Sequence, residues 1–248
     1  MIGKQKYHLW FGSIALAVSA LIALPADAAS KRQTVVVKAS KKSSLSSKRL
    51  VRARYFVPAV PSFGQQLGLH AADDPLDLRS AAVLVLDQDT NEVLLAKNQH
   101  AVLPIASITK LMTALVVADA EQSLDDVLTI TPEDIDTEKG SRSRLRVGTQ
   151  LARGEMLHLA LMASENRAAH ALGRSYPGGL RAFVEAMNGT ALALGMRDTK
   201  YVEPTGLSSR NQSSARDLAT LVKAAHEYSV IRELSTSPEH VVEVGNRA

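Results

Sequence analysis

The sequence lacks cysteine entirely, since none of its 248 residues is one. A disulfide framework, a thiolate metal site and a cysteine nucleophile are therefore excluded. His158 and His170 lie on helical stretches without a partner at metal-ligand spacing, so packing or surface roles are expected for both. Nothing else in the residue pattern suggests a metal, and no cofactor is expected.

Acidic residues are missing from one long segment near the start of the chain. Between Ser30 and Tyr55 the charged residues are all basic, namely Lys31, Arg32, Lys38, Lys41, Lys42, Lys48, Arg49, Arg52 and Arg54. The chain after this segment carries 18 basic residues against 24 acidic ones and is mildly acidic. The segment "SKKSSLSSKRLVRAR" is too polar to bury enough apolar surface to order itself. Two interpretations stay open: peripheral contact with an anionic envelope surface, and a solvated spacer.

Residues 1–28 have the pattern of a secretory signal peptide. Lys4 and Lys6 form a basic start, "LWFGSIALAVSALIAL" is a short apolar run, and "ADA" at Ala26 to Ala28 is typical of a cleavage site. An uncleaved anchor is the alternative. We expect cleavage near Ala28, a mature chain beginning near Ala29 and a periplasmic location. An exported, mildly acidic domain makes nucleic acid an unexpected partner.

The remaining chain divides into two predicted parts. Residues 29–77 are expected to form the basic, flexible segment and a connector rich in proline and glycine, and residues 78–248 an ordered domain. Two apolar runs, Ala82 to Leu86 and Glu92 to Ala96, flank a polar turn and predict a β-hairpin. The near-continuous apolarity of the first run predicts a strand covered on both faces.

Helical patterns follow the hairpin. The first is predicted from about Ser107 to Ala118, and "RGEMLHLALM" and "NRAAHALGRSY" predict two helices joined at "ASEN". "GGLRAFVEAMNGTALALGM" predicts another helix, stopped by Gly195, and a capping box from Ser214 to Asp217 opens the next. Two strands before a run of helices indicate an α/β (α+β) fold, an antiparallel sheet with a helical layer, with further strands still to be supplied.

A serine and a lysine three residues apart open the first long helix. At this spacing the side chains of Ser107 and Lys110 lie on one helix face, close enough to share a proton. Free N–H groups of the first turn favour negative charge beside Ser107. The apolar residues after Lys110 predict a dry setting, and burial makes a lysine a usable base. The pair is therefore either a nucleophile with its base or an ordinary helix start.

"ASEN" offers a second pair of candidate groups. A hydroxyl from Ser164 can relay a proton, and the carboxamide of Asn166 can orient a lysine and hold a substrate carbonyl. Serine and asparagine are also favoured at plain helix junctions. The same spacing recurs at Ser209 and Asn211, but that pair lies in a loop, so the pair between helices is the stronger candidate.

Taken together, these residues resemble a known family. The stretches "LPIASITKLMTALVVADA", "LHLALMASENRAAHALGRSYPGG", "LGMRDTKYVEPTGL" and "NQSSARDLATLV" resemble the serine D-Ala-D-Ala peptidases among the low-molecular-mass penicillin-binding proteins, in particular the D-alanyl-D-alanine endopeptidase branch. The resemblance implies a penicillin-recognition (β-lactamase-like) fold and cleavage of D-alanyl cross-links in peptidoglycan. It makes Ser107 the nucleophile, Lys110 the base, Ser164 the proton relay and Asn166 a positioning group, with β-lactams as covalent inhibitors.

One family motif is absent from the sequence. Lys-Thr-Gly, or its variant with serine or histidine, is expected on a strand beyond Ala248, together with further C-terminal strands of the sheet. We therefore expect residues 78–248 to be an incomplete peptidase domain, from a fragment or a truncated product. Because this strand also supplies an oxyanion donor in the family, little or no activity is predicted for the 248 residues alone.

Two other functions were considered. A class A β-lactamase needs a deacylating glutamate followed by Leu-Asn, and the sequence around Glu203 reads "EPTGL" instead. A non-catalytic peptidoglycan-binding or regulatory module would fit the absent motif, but it would have no use for Ser107 and Lys110. The basic loop "KGSRSRLRVG" either guides an acidic muropeptide or is simply solvated.

Overall fold

The structure is a computed structural model that describes residues 60–242. The predicted signal peptide and the whole basic segment lie outside the described residues. Within residues 60–242, no helix combines the length and the apolarity needed to cross a membrane.

The described residues form a helical layer with short antiparallel strand pairs. The helices are α1 (Phe63–Gln66), α2 (Thr109–Asp119), α3 (Arg153–Met162), α4 (Asn166–Arg174), α5 (Gly179–Ala193), α6 (Ala215–His226) and α7 (Ser229–Thr236). The strands are β1 (Val83–Leu86), β2 (Val93–Lys97), β3 (Leu103–Pro104), β4 (Val127–Thr129), β5 (Gln150–Ala152) and β6 (Gln212–Ser213). They pair as β1–β2, β3–β6 and β4–β5, all antiparallel.

The predicted hairpin is confirmed, but its predicted double covering is wrong for the described residues. β1 and β2 pair in register from Val83 opposite Lys97. One face of this two-stranded sheet packs against α6. The side chains of Val85 and Leu94 nevertheless remain 43% and 60% exposed to solvent. The reason is that β1 and β2 form a two-stranded sheet, and α6 is the one helix that packs extensively against these strands within residues 60–242.

Part of the predicted connector is ordered. The side chain of Ser62 and that of Gln65 cap α1 reciprocally, a local hydrogen-bond pattern that composition alone does not reveal. Further on, Lys97 Nζ lies 2.6 Å from Asp74 Oδ2, with both side chains buried. This ion pair ties the connector to the hairpin.

α2 is the central helix of the layer. It packs against α3, α4, α5, α6 and α7, and Met112 and Leu115 are buried with the whole apolar run around them. The helix begins at Thr109, two residues later than predicted. Ser107 lies in the preceding turn, where its carbonyl accepts from the Lys110 N–H at 2.9 Å. The nucleophile candidate therefore lies just before the first turn of α2.

The other predicted helices are confirmed with small changes. Gly195 ends α5 with a φ of 78°, and α3 and α4 meet where "ASEN" was predicted to join them. The capping box of α6 is only half formed. Ser214 accepts from the Asp217 N–H, but the carboxylate of Asp217 accepts from the Asp198 N–H and the Thr199 hydroxyl instead of closing the box.

The β3–β6 pair and the β4–β5 pair were not predicted, because strands of two or three residues carry no usable alternation. The β3–β6 pair positions the candidate site. It continues into a hydrogen bond from the Ile105 N–H to the Asn211 carbonyl at 2.9 Å. This contact holds the segment before Asn211 against the start of α2.

Candidate active site

Ser107 and Lys110 are in contact. Lys110 Nζ lies 3.2 Å from Ser107 Oγ, as their spacing predicts. Lys110 is only 2% exposed, whereas Ser107 is exposed. The pair therefore combines a hydroxyl that a ligand can reach with an amine that water hardly reaches.

Four oxygens surround the amine of Lys110. Besides Ser107 Oγ they are Ser164 Oγ at 3.3 Å, Asn166 Oδ1 at 2.8 Å and the Thr205 carbonyl at 2.7 Å. The last two can only accept hydrogen bonds. A neutral amine has two N–H groups, so these two acceptors take both of them and direct the nitrogen lone pair toward the serine hydroxyls. In its neutral form, Lys110 is thus oriented to accept a proton from serine.

The protonation equilibrium of Lys110 is also shifted toward the neutral amine. Burial lowers the pKa of Lys110 to about 8, although the charges of Glu203 and Glu165 partly oppose the shift. About a tenth of the amine is then neutral at pH 7. An ordinary lysine would be almost wholly protonated at this pH, so burial increases the fraction of this lysine that can accept a proton.

Ser164 connects the α3–α4 junction to the nucleophile candidate. Its hydroxyl donates to Ser107 Oγ at 2.7 Å, which places three side chains, Ser107, Lys110 and Ser164, in mutual contact. Ser164 has a φ of 55°, a left-handed conformation that is unfavourable for residues with a Cβ and is often found at functional sites. No sequence signal predicted this backbone geometry.

A hydrogen bond from its nitrogen fixes the orientation of the Asn166 amide. Its Nδ2 donates to Ser141 Oγ at 3.0 Å, which directs Oδ1 toward Lys110. Ser141 belongs to a loop organised by Asp136, whose carboxylate accepts from the N–H groups of Glu138, Lys139 and Ser141. The basic loop therefore contributes to the site through Ser141, a role that the sequence did not suggest.

A second supporting loop, residues 203–208, was also missed. The Glu203 carboxylate accepts from the Thr205, Gly206 and Ser208 N–H groups, which folds the loop so that the Thr205 carbonyl reaches Lys110. Gly206 has a φ of 85°, and a Cβ there would lie 2.1 Å from the Ala106 carbonyl oxygen. The loop thus packs directly on the backbone before Ser107.

Asn211 explains the second Ser-x-Asn pattern. It is fully buried, and its amide binds the Val202 N–H, the Glu203 carbonyl and the Glu203 carboxylate. Asn211 therefore holds the loop of residues 203–208 in place, whereas Ser164 and Asn166 reach the amine. Glu203 is saturated by these contacts, which leaves it unsuited to activating water as a β-lactamase glutamate does.

Neither of the two histidines noted in the sequence forms a hydrogen bond with the Lys110 amine. His170 Nδ1 contacts Asp134 at 2.8 Å, and Arg174 contacts the same carboxylate. Burial alone would raise the pKa of Asp134, but these two partners hold it at about 2. His158 stacks on His240 with ring centroids 3.8 Å apart. Within residues 60–242, no three histidine, aspartate or glutamate side chains cluster in a way that would hold a metal.

The helical layer, the short antiparallel strand pairs and the Ser-x-x-Lys pair at the start of the buried helix α2 together indicate the class of penicillin-recognition folds. The sequence pattern of one family, described as D-alanyl-D-alanine carboxypeptidase (peptidase S11), matches residues 69–247. The chain belongs to this family, as the resemblance in the sequence predicted.

Named relatives agree with this assignment. The chain is 54% identical over 166 residues to a D-alanyl-D-alanine endopeptidase of Pseudomonas aeruginosa, covering 67% of this chain and 54% of the relative. It is 43% identical over 190 residues to one of Escherichia coli, covering 77% and 61%. A D-alanyl-D-alanine carboxypeptidase structure from Mycobacterium tuberculosis superposes with a TM-score of 0.57 at 28% identity, covering 63% of this chain and 60% of that one. The chain thus spans a little over half the length of the first two relatives.

Proposed function

We propose that this protein is a periplasmic serine peptidase that cleaves D-alanyl peptide cross-links of peptidoglycan, as an endopeptidase with or without carboxypeptidase activity. The names of the relatives support the substrate class. The observation that carries the proposal is the single amine of Lys110 in contact with Ser107, Ser164 and Asn166. A binding module would not need this arrangement.

The proposed acylation begins at Ser107. Its oxygen attacks the carbonyl carbon of D-Ala in the D-alanyl peptide bond. The Ser107 proton passes to Lys110, either directly or through Ser164, whose Oγ lies 2.7 Å from Ser107 Oγ. Within residues 60–242 the Ser107 N–H donates to no other group, so it is available to the developing oxyanion. The proton then moves to the leaving amine as the peptide bond breaks, which leaves an ester on Ser107.

Deacylation follows the same path in reverse. A water molecule attacks the ester carbonyl while its proton passes to Lys110, directly or through Ser164, and Lys110 returns a proton to Ser107 as the acid product leaves. A β-lactam would acylate Ser107 by the same attack, with the ring nitrogen as leaving group. No step requires a metal or a cofactor.

The proposal also covers the location of the protein and the role of its basic segment. Residues 1–28 would direct export and be removed near Ala28. The basic segment that follows would touch an anionic envelope surface peripherally, or act as a spacer. The buried Lys110 amine and the exposed Ser107 hydroxyl do not depend on either role.

The proposal is tested by incubating the protein with a purified, D-Ala cross-linked muropeptide dimer. Since the sequence has no Lys-Thr-Gly segment, the chain is assayed both as it stands and extended through one. Monomers should form with the extended chain and disappear with Ser107→Ala, and slower release is expected from the 248 residues. Dimer binding without cleavage by the extended chain would instead identify a non-catalytic module.

A further inference from the structure

A cleft of about 660 Å³ is lined by Ser164 and Asn166, and by Arg142 and Arg144 from the basic loop. It reaches the candidate nucleophile through Ser164, whose hydroxyl lies 2.7 Å from Ser107 Oγ. Its position makes it the natural place for the part of a substrate that extends away from the reacting bond.

The charges of this cleft favour an anionic ligand. Arg142 and Arg144 are both exposed, and neither forms an ion pair with any carboxylate in residues 60–242. The one acidic residue of the lining is Glu165, one of whose carboxylate oxygens accepts from the Arg167 N–H at the start of α4, so two positive charges face one negative charge in the lining. Two guanidinium groups thus remain available to a ligand carboxylate, which they bind in a bidentate manner.

The loop that carries both arginines is held in place at each end. Ser141 is fixed by the Asp136 carboxylate and by Asn166. At the other end, Arg167 donates to the Leu145 carbonyl at 2.7 Å, and Leu145 is only 3% exposed. Only the side chains of the arginines need to be ordered on binding, which lowers the entropic cost.

Apart from Glu165, the rest of the lining is mostly apolar, with Ser143 and His240 as its polar members. Leu159, Met162 and Val242 contribute apolar surface, which suits the alkyl part of an acidic side chain. A peptide side chain with a carboxylate on a short alkyl chain can bind the guanidinium groups of Arg142 and Arg144 and pack against the apolar lining of the cleft.

We propose that this cleft is a subsite for an acidic residue of the peptide substrate, with Arg142 and Arg144 binding its carboxylate. The inference rests on the proposed peptidase function, because it places the acidic residue on the peptide whose bond is cleaved at Ser107. It assigns to the basic loop a role in substrate preference that is separate from the chemistry.

The test measures binding rather than turnover. Two dye-labelled peptides that end in D-Ala-D-Ala are compared by fluorescence polarisation, one with a single glutamate and one with glutamine at the same position. The Ser107→Ala protein is used so that neither peptide is consumed. The glutamate peptide should bind about tenfold tighter or more, because the glutamine peptide cannot form the charge-assisted hydrogen bonds. Arg142→Gln and Arg144→Gln should each remove most of this preference.

Arg146→Gln is the matched control. Arg146 is an exposed arginine of the same loop that does not line the cleft, so its loss should leave the preference unchanged. Equal affinity for the two peptides, or an equal effect of Arg146→Gln, would overturn the subsite. Failure of cross-link cleavage with the preference intact would overturn only the proposed function, so the two outcomes are separable.

Discussion

Asn166 Oδ1 lies 2.8 Å from Lys110 Nζ, and it can do nothing there except accept a hydrogen bond. Together with the Thr205 carbonyl, it turns a buried lysine into an amine whose lone pair is directed at serine. Burial keeps that amine partly neutral, and the two acceptors decide where its free electron pair points. Both effects favour transfer of a proton from serine to Lys110.

The first prediction concerns pH. Lys110 acts as a base only when neutral, and its pKa of about 8 means that acylation of Ser107 should rise with pH. The rate of labelling by a reporter penicillin should increase about tenfold per pH unit below pH 7 and level off above about pH 9. Stopped samples across pH 6 to 10 give the profile. A flat profile would show that Lys110 is not the base.

The second prediction is that Asn166→Asp moves this profile. A carboxylate in place of the amide would stabilise the ammonium form and raise the pKa of Lys110 by about one unit or more. The midpoint should therefore shift upward, while the plateau at high pH is largely kept. Glu185→Gln, on an exposed ion pair with Arg181, serves as a control that should not move it. An unchanged midpoint in Asn166→Asp would contradict the assigned contact.

The third prediction concerns Ser164, and it distinguishes the effect of its backbone strain on stability from the effect of its hydroxyl on the labelling rate. Its φ of 55° suits glycine, so Ser164→Gly should be about 1 kcal/mol more stable than Ser164→Ala. Both variants lose the hydroxyl and should label at least about 100-fold more slowly if it carries the proton. Urea unfolding and labelling rates measure the two effects. Fast labelling in either variant would remove Ser164 from the proton path.

The fourth prediction concerns the contact between Gly206 and the backbone before Ser107. A Cβ at Gly206 would meet the Ala106 carbonyl, whereas one at Gly148, which also has a positive φ, meets nothing within 4 Å. Gly148→Ala should cost about 1 kcal/mol of unfolding free energy, and Gly206→Ala about 2 kcal/mol more. Only Gly206→Ala should also slow labelling. Equal effects of the two substitutions would mean that the loop does not support the nucleophile.

Sequence reasoning succeeded where the determining contacts are local. The Ser107–Lys110 contact follows from helical spacing, and the α3–α4 junction follows from two strongly periodic helices that meet at a polar break. Those patterns alone predict that the hydroxyl of Ser164 and the amide of Asn166 lie near one another.

The supporting loops were missed because their contacts join distant parts of the chain. Thr205 reaches Lys110 across 95 residues of sequence, and Ser141 fixes Asn166 across 25. Asn211 looked like a redundant copy of a motif, and only its buried contacts identify it as the residue that holds Glu203. The left-handed backbone of Ser164 is equally invisible in sequence, since serine has no special preference for that conformation.

The most direct test of the central claim is the site of covalent labelling by a reporter penicillin, located by mass spectrometry. It should be made on the 248-residue chain and on the same chain extended through a Lys-Thr-Gly segment. The account predicts one adduct, on Ser107, formed at least about 100-fold more slowly without the extension and absent from Ser107→Ala. An adduct on any other residue, or none in either protein, would contradict the assignment of Ser107 as the nucleophile.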